Sequence, residues 1–132
     1  MKTILCVDIG TTSLKMSLIS DTGNVVAFST QNLNVFKTDY LANQWFQSFI
    51  KGTSELLKSA QNISSADICA ISISGNGPTI VSQNGRTLLW NNSLSKELKD
   101  SIPQTNSLFM PQLVAFKKNY QNEWKDSRFI FS

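Results

Sequence analysis

The sequence predicts an α/β domain with a mixed central sheet that begins as a three-strand antiparallel meander and is flanked by helices. Three observations in its 132 residues point to this class. The run Ile4–Val7 is apolar throughout, as in a strand buried on both faces. Residues 14–18 alternate between apolar and polar side chains, which is the period of a half-buried strand. Beyond residue 40, apolar residues recur at a spacing near 3.6, which predicts an amphipathic helix.

Turn and cap residues separate these first elements. The cluster Asp21–Asn24 is typical of a turn and leads into a third strand at 25–28. Asp39 is a candidate helix cap, with Thr38 as a competitor. Gly52 should weaken the helix by about 1 kcal/mol relative to alanine. The face of this helix is formed by Leu41, Trp45, Phe49, Leu56 and Ala60.

The rest of the chain continues the alternation of strands and helices. The apolar run 68–73 predicts a strand added parallel to the same sheet, because a helix precedes it. Asn84-Gly85 lies between two strand-like runs and predicts a hairpin. Pro111 can open a helix, and Trp124 is expected on another short one. Residues 128–131 suggest a last strand.

Composition bounds the function. Twelve lysine and arginine residues oppose nine acidic ones, and the lysines are scattered, which gives little support for binding to nucleic acid or to a membrane surface. Histidine is absent, which excludes a Ser-His-Asp triad, a Cys-His pair and a histidine zinc site. No apolar run approaches the roughly 20 residues that span a bilayer. Met1–Thr3 does not open a signal peptide, so we expect a cytoplasmic protein.

The two cysteines, Cys6 and Cys69, both lie in apolar runs. Free cysteine in such a run behaves as a small buried hydrophobe. We therefore expect both thiols to be buried and neither to belong to a disulfide framework.

The stretch from Asp8 to Lys15 carries the clearest chemistry. An acidic residue ends a buried strand, and a turn of glycine and hydroxyl residues follows, namely Gly10, Thr11, Thr12 and Ser13. Backbone N–H groups of such a turn can face an anion, and the hydroxyls can add hydrogen bonds. Asp8 could hold Mg²⁺, and Lys15 could add positive charge or simply face solvent. The alternative is a hairpin turn that is merely polar.

The predicted order β-β-β-α-β is that of the ribonuclease H-like ATPase domain shared by actin, sugar kinases and heat-shock chaperones. The chain resembles the N-terminal part of the FGGY carbohydrate kinases, the group of glycerol kinase and xylulokinase. The resemblance covers nearly all residues in order. It rests on Asp8–Ser13, Asn43–Phe46, Ile71–Gly75, Leu88–Asn92, Met110–Lys117 and Glu123–Trp124 with Arg128–Ile130.

The resemblance implies an ATP-dependent kinase in which a sugar or polyol hydroxyl attacks the γ-phosphoryl group, with Mg²⁺ bridging the phosphates. Asp8 would then help to hold Mg²⁺, and residues 10–13 would face the phosphates. The sugar pocket would be bordered by Gly75, Asn76, Gly77, Trp90, Asn91 and Asn92. The resemblance further implies a ribonuclease H-like fold with a mixed five-stranded sheet, and a homodimer is a candidate assembly.

The family's catalytic aspartate and second ATPase domain are expected beyond this chain. Residues 1–132 would then be an incomplete N-terminal part of the first domain, with no catalytic residue of their own and no turnover alone. The aspartates at 39, 67, 100 and 126 are expected to be caps, loop residues or solvated positions. Exposed apolar surface on such a piece would favour self-association.

Two positions depart from the family's pattern. The family's Trp-x-Asp segment ends in a carboxylate and is soon followed by arginine, where this chain has Asn92 and Leu94. Asn92 brings no charge, and Leu94 cannot fork onto a hydroxyl pair. Trp90 could therefore be a core residue beside a simple turn. Two further hypotheses stay open: another kinase of the actin-like ATPase superfamily, or a non-catalytic protein that uses the fold for binding or assembly.

Overall fold

The computed structural model describes residues 1–34, 39–75, 77–102, 105–128 and 130–131. The chain divides into two compact units, one of residues 1–37 and 43–75 and one of residues 38–42 and 76–132. Both units combine strands with helices, and the sheet of the first is mixed, so the predicted α/β class with a mixed sheet is confirmed. Among the described residues, no helix is long and apolar enough to cross a membrane.

The first unit is a four-stranded sheet with a helix on one face. Its elements are β1 (Thr3–Ile9), β2 (Ser13–Ser20), β3 (Val25–Asn32), α1 (Leu41–Ser59) and β4 (Ile68–Gly75). The strands lie in the order β3-β2-β1-β4; β1 and β2 are antiparallel, as are β2 and β3, and β4 runs parallel to β1. The parallel strand is reached through α1, as a crossover connection requires.

The core of this unit lies between α1 and the sheet. It is formed by Leu5, Val7, Leu14, Met16, Leu18, Ala27, Leu56, Ala60 and Ile63. Gly52 lies where the helix comes closest: a Cβ placed there would be 2.6 Å from Met16 Sδ and 3.3 Å from Gln31 Cγ. Gly52 lowers the helix propensity of α1, but a larger residue at this position would prevent α1 from packing closely on the sheet.

The edge strand β4 is far more exposed than its apolar sequence predicts. Ile71 and Ile73 pair in register with buried residues of β1, yet they are 54% and 63% exposed. Cys69 of the same strand is exposed and Cys6 of β1 is half-buried, so the predicted burial of the Cys69 thiol is wrong. Both cysteines are free, as predicted.

The second unit is built around a small antiparallel sheet. Its elements are β5 (Ile80–Ser82), β6 (Thr87–Leu88), α2 (Lys96–Ser101), α3 (Phe109–Asn119), α4 (Gln121–Asp126) and β7 (Ile130–Phe131). The strands lie in the order β6-β5-β7. The core is formed by Ile80, Leu88, Leu98, Ala115 and Phe116. The predicted hairpin, the helix containing Pro111, the helix containing Trp124 and the last strand are all confirmed.

The expectation of one five-stranded sheet is wrong for the described residues. The strand-like runs after residue 76 pair with one another and form a separate sheet, rather than adding to β4. Alternation and turn signals identify strands, but they do not say which strands become neighbours.

Two aspartates have structural partners. The Asp39 carboxylate accepts a hydrogen bond from Arg86 Nη1 at 3.0 Å, and α1 begins two residues later, so its predicted role as a helix cap gives way to an ion pair. Asp67 accepts hydrogen bonds from the backbone N–H and the hydroxyl of Ser64, each at 2.9 Å. These bonds, with the nearby N-terminal ammonium group, lower the pKa of Asp67.

Candidate functional site: a hairpin turn and a tryptophan segment

The turn between β1 and β2 is closed by its own backbone. The Gly10 N–H donates to the Ser13 carbonyl oxygen at 2.9 Å, and Leu33, just past β3, donates its N–H to the Thr12 carbonyl at 2.9 Å. A Cβ at Gly10 would be 2.7 Å from the Ser13 oxygen. Glycine is thus required by the turn itself. The Gly10 N–H is engaged within the turn, and the anion contacts expected of residues 10–13 stay a prediction.

Asp8 and Lys15 lie directly opposite each other on β1 and β2. Ser74 of β4 pairs in register with Asp8 on its other side, and Thr30 of β3 pairs with Lys15. Residues in register on adjacent strands share a face of the sheet, so these four form one polar row. Asp8 and Lys15 are both exposed. The structure therefore brings together the predicted metal ligand and the predicted cation next to the hairpin turn.

Gly75 ends β4 beside this turn. It pairs in register with Ile9, and a Cβ placed on it would be 3.6 Å from Ile9 Cβ, an ordinary contact distance. The first residue of the predicted sugar-binding loop therefore lies at the same end of the sheet as the predicted phosphate-binding turn. Asn76, the next predicted site residue, lies outside the described residues.

The Asn43–Phe46 motif lies on the other face of the same sheet. Trp45 and Phe46 line an apolar groove of about 330 Å³ together with Val7, Ile9, Leu14, Phe49 and Ile73. Asp8 alternates with Val7 and Ile9 along β1 and faces away from this groove. The groove thus belongs to the packing face of the sheet, not to the polar row.

The remaining predicted site residues lie in the second unit. Trp90 is 44% exposed, so the alternative of a core tryptophan is wrong. Asn91 and Asn92 are exposed, and the Asn92 N–H donates to the Leu89 carbonyl at 3.0 Å, which closes a turn at the tryptophan. Gly77, also exposed, precedes β5. We call residues 90–92 the tryptophan turn.

The structure explains one departure from the family's pattern. Leu94, which stands where the resemblance leads one to expect arginine, is half-buried and packs against the core of the second unit. An apolar residue there contributes packing instead of a charged fork.

Two groups near these residues were missed by the sequence analysis. Gln112 of α3 is 6% exposed and donates from Nε2 to the Trp90 carbonyl at 3.0 Å. Thr79 accepts a hydrogen bond from the Trp90 N–H at 3.2 Å. Both pairs are more than ten residues apart in the chain, and no local pattern signals such contacts.

Arg86 is the other missed residue. Its guanidinium lies 4.6 Å from the ring centre of Tyr40 and 4.8 Å from that of Tyr120, and it donates to the Tyr40 hydroxyl at 2.7 Å. Burial opposes the charge of Arg86, but the Tyr40 bond and the Asp39 charge outweigh it and raise its pKa. Burial, followed by the Asp39 charge, raises the pKa of Tyr120. This cluster stabilises the second unit, because cation–π contacts and an ion pair meet at one guanidinium.

Comparison with known proteins identifies the family of the chain. The model of the FGGY family of carbohydrate kinases, N-terminal domain, matches residues 3–117. The chain therefore belongs to the FGGY family of carbohydrate kinases, and the recognition made from its motifs is confirmed.

Several individual proteins and solved structures are similar to this chain. A xylulose kinase of Staphylococcus epidermidis is 30% identical over 101 residues, which are 68% of this chain and 20% of that protein. A crystal structure of a xyloylose kinase from Brucella ovis has the same fold, with a TM-score of 0.76 and 18% identity over 98% of this chain and 32% of that one. The crystal structure of Plasmodium falciparum glycerol kinase with ADP has a TM-score of 0.66 and 14% sequence identity, and the match covers 95% of this chain and 30% of that one. The chain thus spans about a fifth of the length of the curated relatives it matches.

Proposed function

We propose that this chain is the N-terminal part of the first domain of an ATP-dependent kinase that phosphorylates a hydroxyl of a sugar or polyol. The fold would be the ribonuclease H-like fold of the actin-like ATPases. The observation that carries the proposal is the polar row: Asp8 and Lys15 lie opposite each other beside the turn that Gly10 closes. Membership of the FGGY family supports the reaction class.

The row suits a magnesium-bound nucleotide phosphate because it offers a positive charge to the phosphate and a negative charge to the metal. Lys15 supplies a positive charge for phosphate oxygens, and the turn supplies hydroxyl donors. Magnesium in phosphoryl-transfer sites is commonly held through one or two carboxylates, with phosphates and waters completing its shell. A single exposed carboxylate at Asp8 fits that pattern, so Asp8 is the residue that would hold Mg²⁺.

The substrate side would be formed by Gly75, Asn76, Gly77 and the tryptophan turn. An exposed indole offers an apolar surface to a sugar ring, and two asparagine side chains offer both donors and acceptors to its hydroxyls. Since the curated relatives are xylulose kinases, D-xylulose is the first substrate to test, with glycerol as the polyol.

We propose that the isolated chain does not turn over. Asp39 is paired with Arg86, and Asp67 is held by Ser64 and the N-terminus, so neither carboxylate is free to act as a general base. The chain would therefore bind and orient phosphates and substrate, while the base comes from sequence that it does not contain. A homodimer is also proposed, and the exposed Ile71 and Ile73 of β4 support it.

The metal role of Asp8 can be tested by changing it to asparagine, which keeps its size and removes its charge. We expect the affinity for Mg·ATP to fall roughly tenfold while the affinity for ATP in excess EDTA stays the same or rises, because only the metal contact is lost. Isothermal titration calorimetry of the 132-residue chain would measure both. Asp21→Asn, in the turn at the opposite end of β2, is the matched control and should change neither affinity. Equal losses with and without Mg²⁺ would contradict the assignment.

A further inference from the structure

The backbone of Trp90 is held on both sides by buried side chains. Thr79, 7% exposed, accepts a hydrogen bond from the Trp90 N–H, and Gln112, 6% exposed, donates one to the Trp90 carbonyl. The indole between them is 44% exposed. A rigid backbone thus presents a side chain to solvent, which is the arrangement expected of a binding residue rather than of a packing residue.

Gln112 makes this contact at a cost to the folded state. Its Oε1 atom is buried and has no hydrogen-bond partner among the described residues. A buried acceptor without a partner destabilises a protein. An apolar side chain would remove that penalty, but it would also take the donor away from the Trp90 carbonyl. Gln112 Oε1 is one of four buried side-chain atoms without a partner among the described residues, and it is the one whose side chain also holds the Trp90 backbone.

We infer that Gln112 is a positioning residue for the substrate, which acts by fixing the Trp90 carbonyl and with it the tryptophan turn. The inference rests on the proposed function, since it assigns the substrate side of that same site. The side-chain amide spans from α3 to the turn, and its N–H holds the turn in the one arrangement that presents Trp90, Asn91 and Asn92 together. Because only the N–H of the Gln112 amide has a partner, its Oε1 atom is left without one.

The test begins with Gln112→Met, which keeps the length of the side chain and removes both polar groups. We expect its melting temperature to change little, because the penalty removed at Oε1 and the hydrogen bond lost at the Trp90 carbonyl oppose each other. Amide hydrogen exchange at Trp90 and Asn92, followed by NMR, should become about tenfold faster. A residue with a purely structural role would lower the melting temperature without this local change in exchange. Gln47→Met, at an exposed position of α1, is the control and should change neither quantity.

Ligand binding then separates positioning from folding. We expect Gln112→Met to raise the dissociation constant for D-xylulose about tenfold and to leave that for Mg·ATP unchanged. Gln112→Glu keeps the acceptor and loses the donor when ionised. Burial at this position raises the pKa of the new carboxyl above its ordinary value of about 4.3. The D-xylulose affinity of this variant should therefore be weakest at high pH and recover as the pH falls and the protonated acid can donate.

Each outcome decides one of the two proposals. If the unmodified chain binds D-xylulose and Gln112→Met binds it equally well, the positioning role is overturned. If the unmodified chain binds Mg·ATP but neither D-xylulose nor glycerol, the proposed substrate side fails. In that case no substrate role is left for Gln112, and hydrogen exchange decides only whether it fixes the turn. Unchanged rates at Trp90 and Asn92 in Gln112→Met exclude this too, and faster rates show that the bond to Trp90 orders the turn.

Discussion

Replacing Gly10 with alanine is expected to abolish measurable Mg·ATP binding and to destabilise the first unit by about 1–3 kcal/mol. The added Cβ would lie 2.7 Å from the Ser13 carbonyl oxygen, which is closer than real Cβ contacts allow. That oxygen belongs to the backbone, so no flexible side chain can move aside. The turn has to open, and the hydrogen bond from the Gly10 N–H is lost with it.

Calorimetric titration with Mg·ATP and urea unfolding of the same variant would check both parts of this prediction. Gly75→Ala is the stability control, because its Cβ would meet only Ile9, at 3.6 Å. We expect its free energy of unfolding to change by no more than about 0.5 kcal/mol. Full Mg·ATP affinity in Gly10→Ala would show that the turn does not hold the phosphates.

Gly52→Val is expected to cost about 1–3 kcal/mol of unfolding free energy, the typical cost of overpacking. Valine is a better helix former than glycine, so the small gain in helix propensity offsets only part of the clash. The Cβ alone would come within 2.6 Å of Met16 Sδ, and Met16 is 1% exposed, so it has little room to move. Valine adds two methyl groups to this clash. Thermal and urea unfolding would measure the loss.

Ser54→Val separates packing from propensity, because it places the same β-branched residue at an exposed position of α1. We expect it to cost less than about 1 kcal/mol. Gly52→Ala should fall between the two, since the helix propensity gained offsets part of the clash. Equal stabilities for Gly52→Val and Ser54→Val would contradict the close contact between α1 and β2.

Features set by neighbouring residues in the chain could be predicted from the sequence. The alternation in β2, the Asn84-Gly85 hairpin and the helical spacing from Leu41 depend on local periodicity and turn chemistry, which the sequence displays directly. The opposition of Asp8 and Lys15 also follows, because a tight turn between them fixes their register.

Features that depend on contacts between distant residues could not be predicted from the sequence. An apolar run such as Ile68–Ile73 reads the same whether its strand is central or at an edge, and this is why Cys69 was expected to be buried. The division into two sheets depends on which strands pair across the chain. The Arg86 cluster and the Gln112 bond to Trp90 join residues 22 to 47 positions apart, with no local signal at either end.

Gly52 and Gly10 show the same difference between what local sequence predicts and what distant contacts decide. Gly52 reads in sequence as a weakness in a helix, and only its distance to Met16 shows that the fold requires it. At Gly10 the sequence predicts a turn whose backbone N–H groups can face an anion. The structure shows that Gly10 lets the turn close on itself, through the hydrogen bond from its N–H to the Ser13 carbonyl.

The most direct test of the central claim is an NMR titration of the ¹⁵N-labelled chain with Mg·ATP. We expect the largest amide shifts at residues 8–15 and at Gly75, because the polar row and the hairpin turn would hold the phosphates at that end of the sheet. Shifts confined to the second unit, or no shifts at millimolar nucleotide, would contradict the assignment of this turn as the phosphate site.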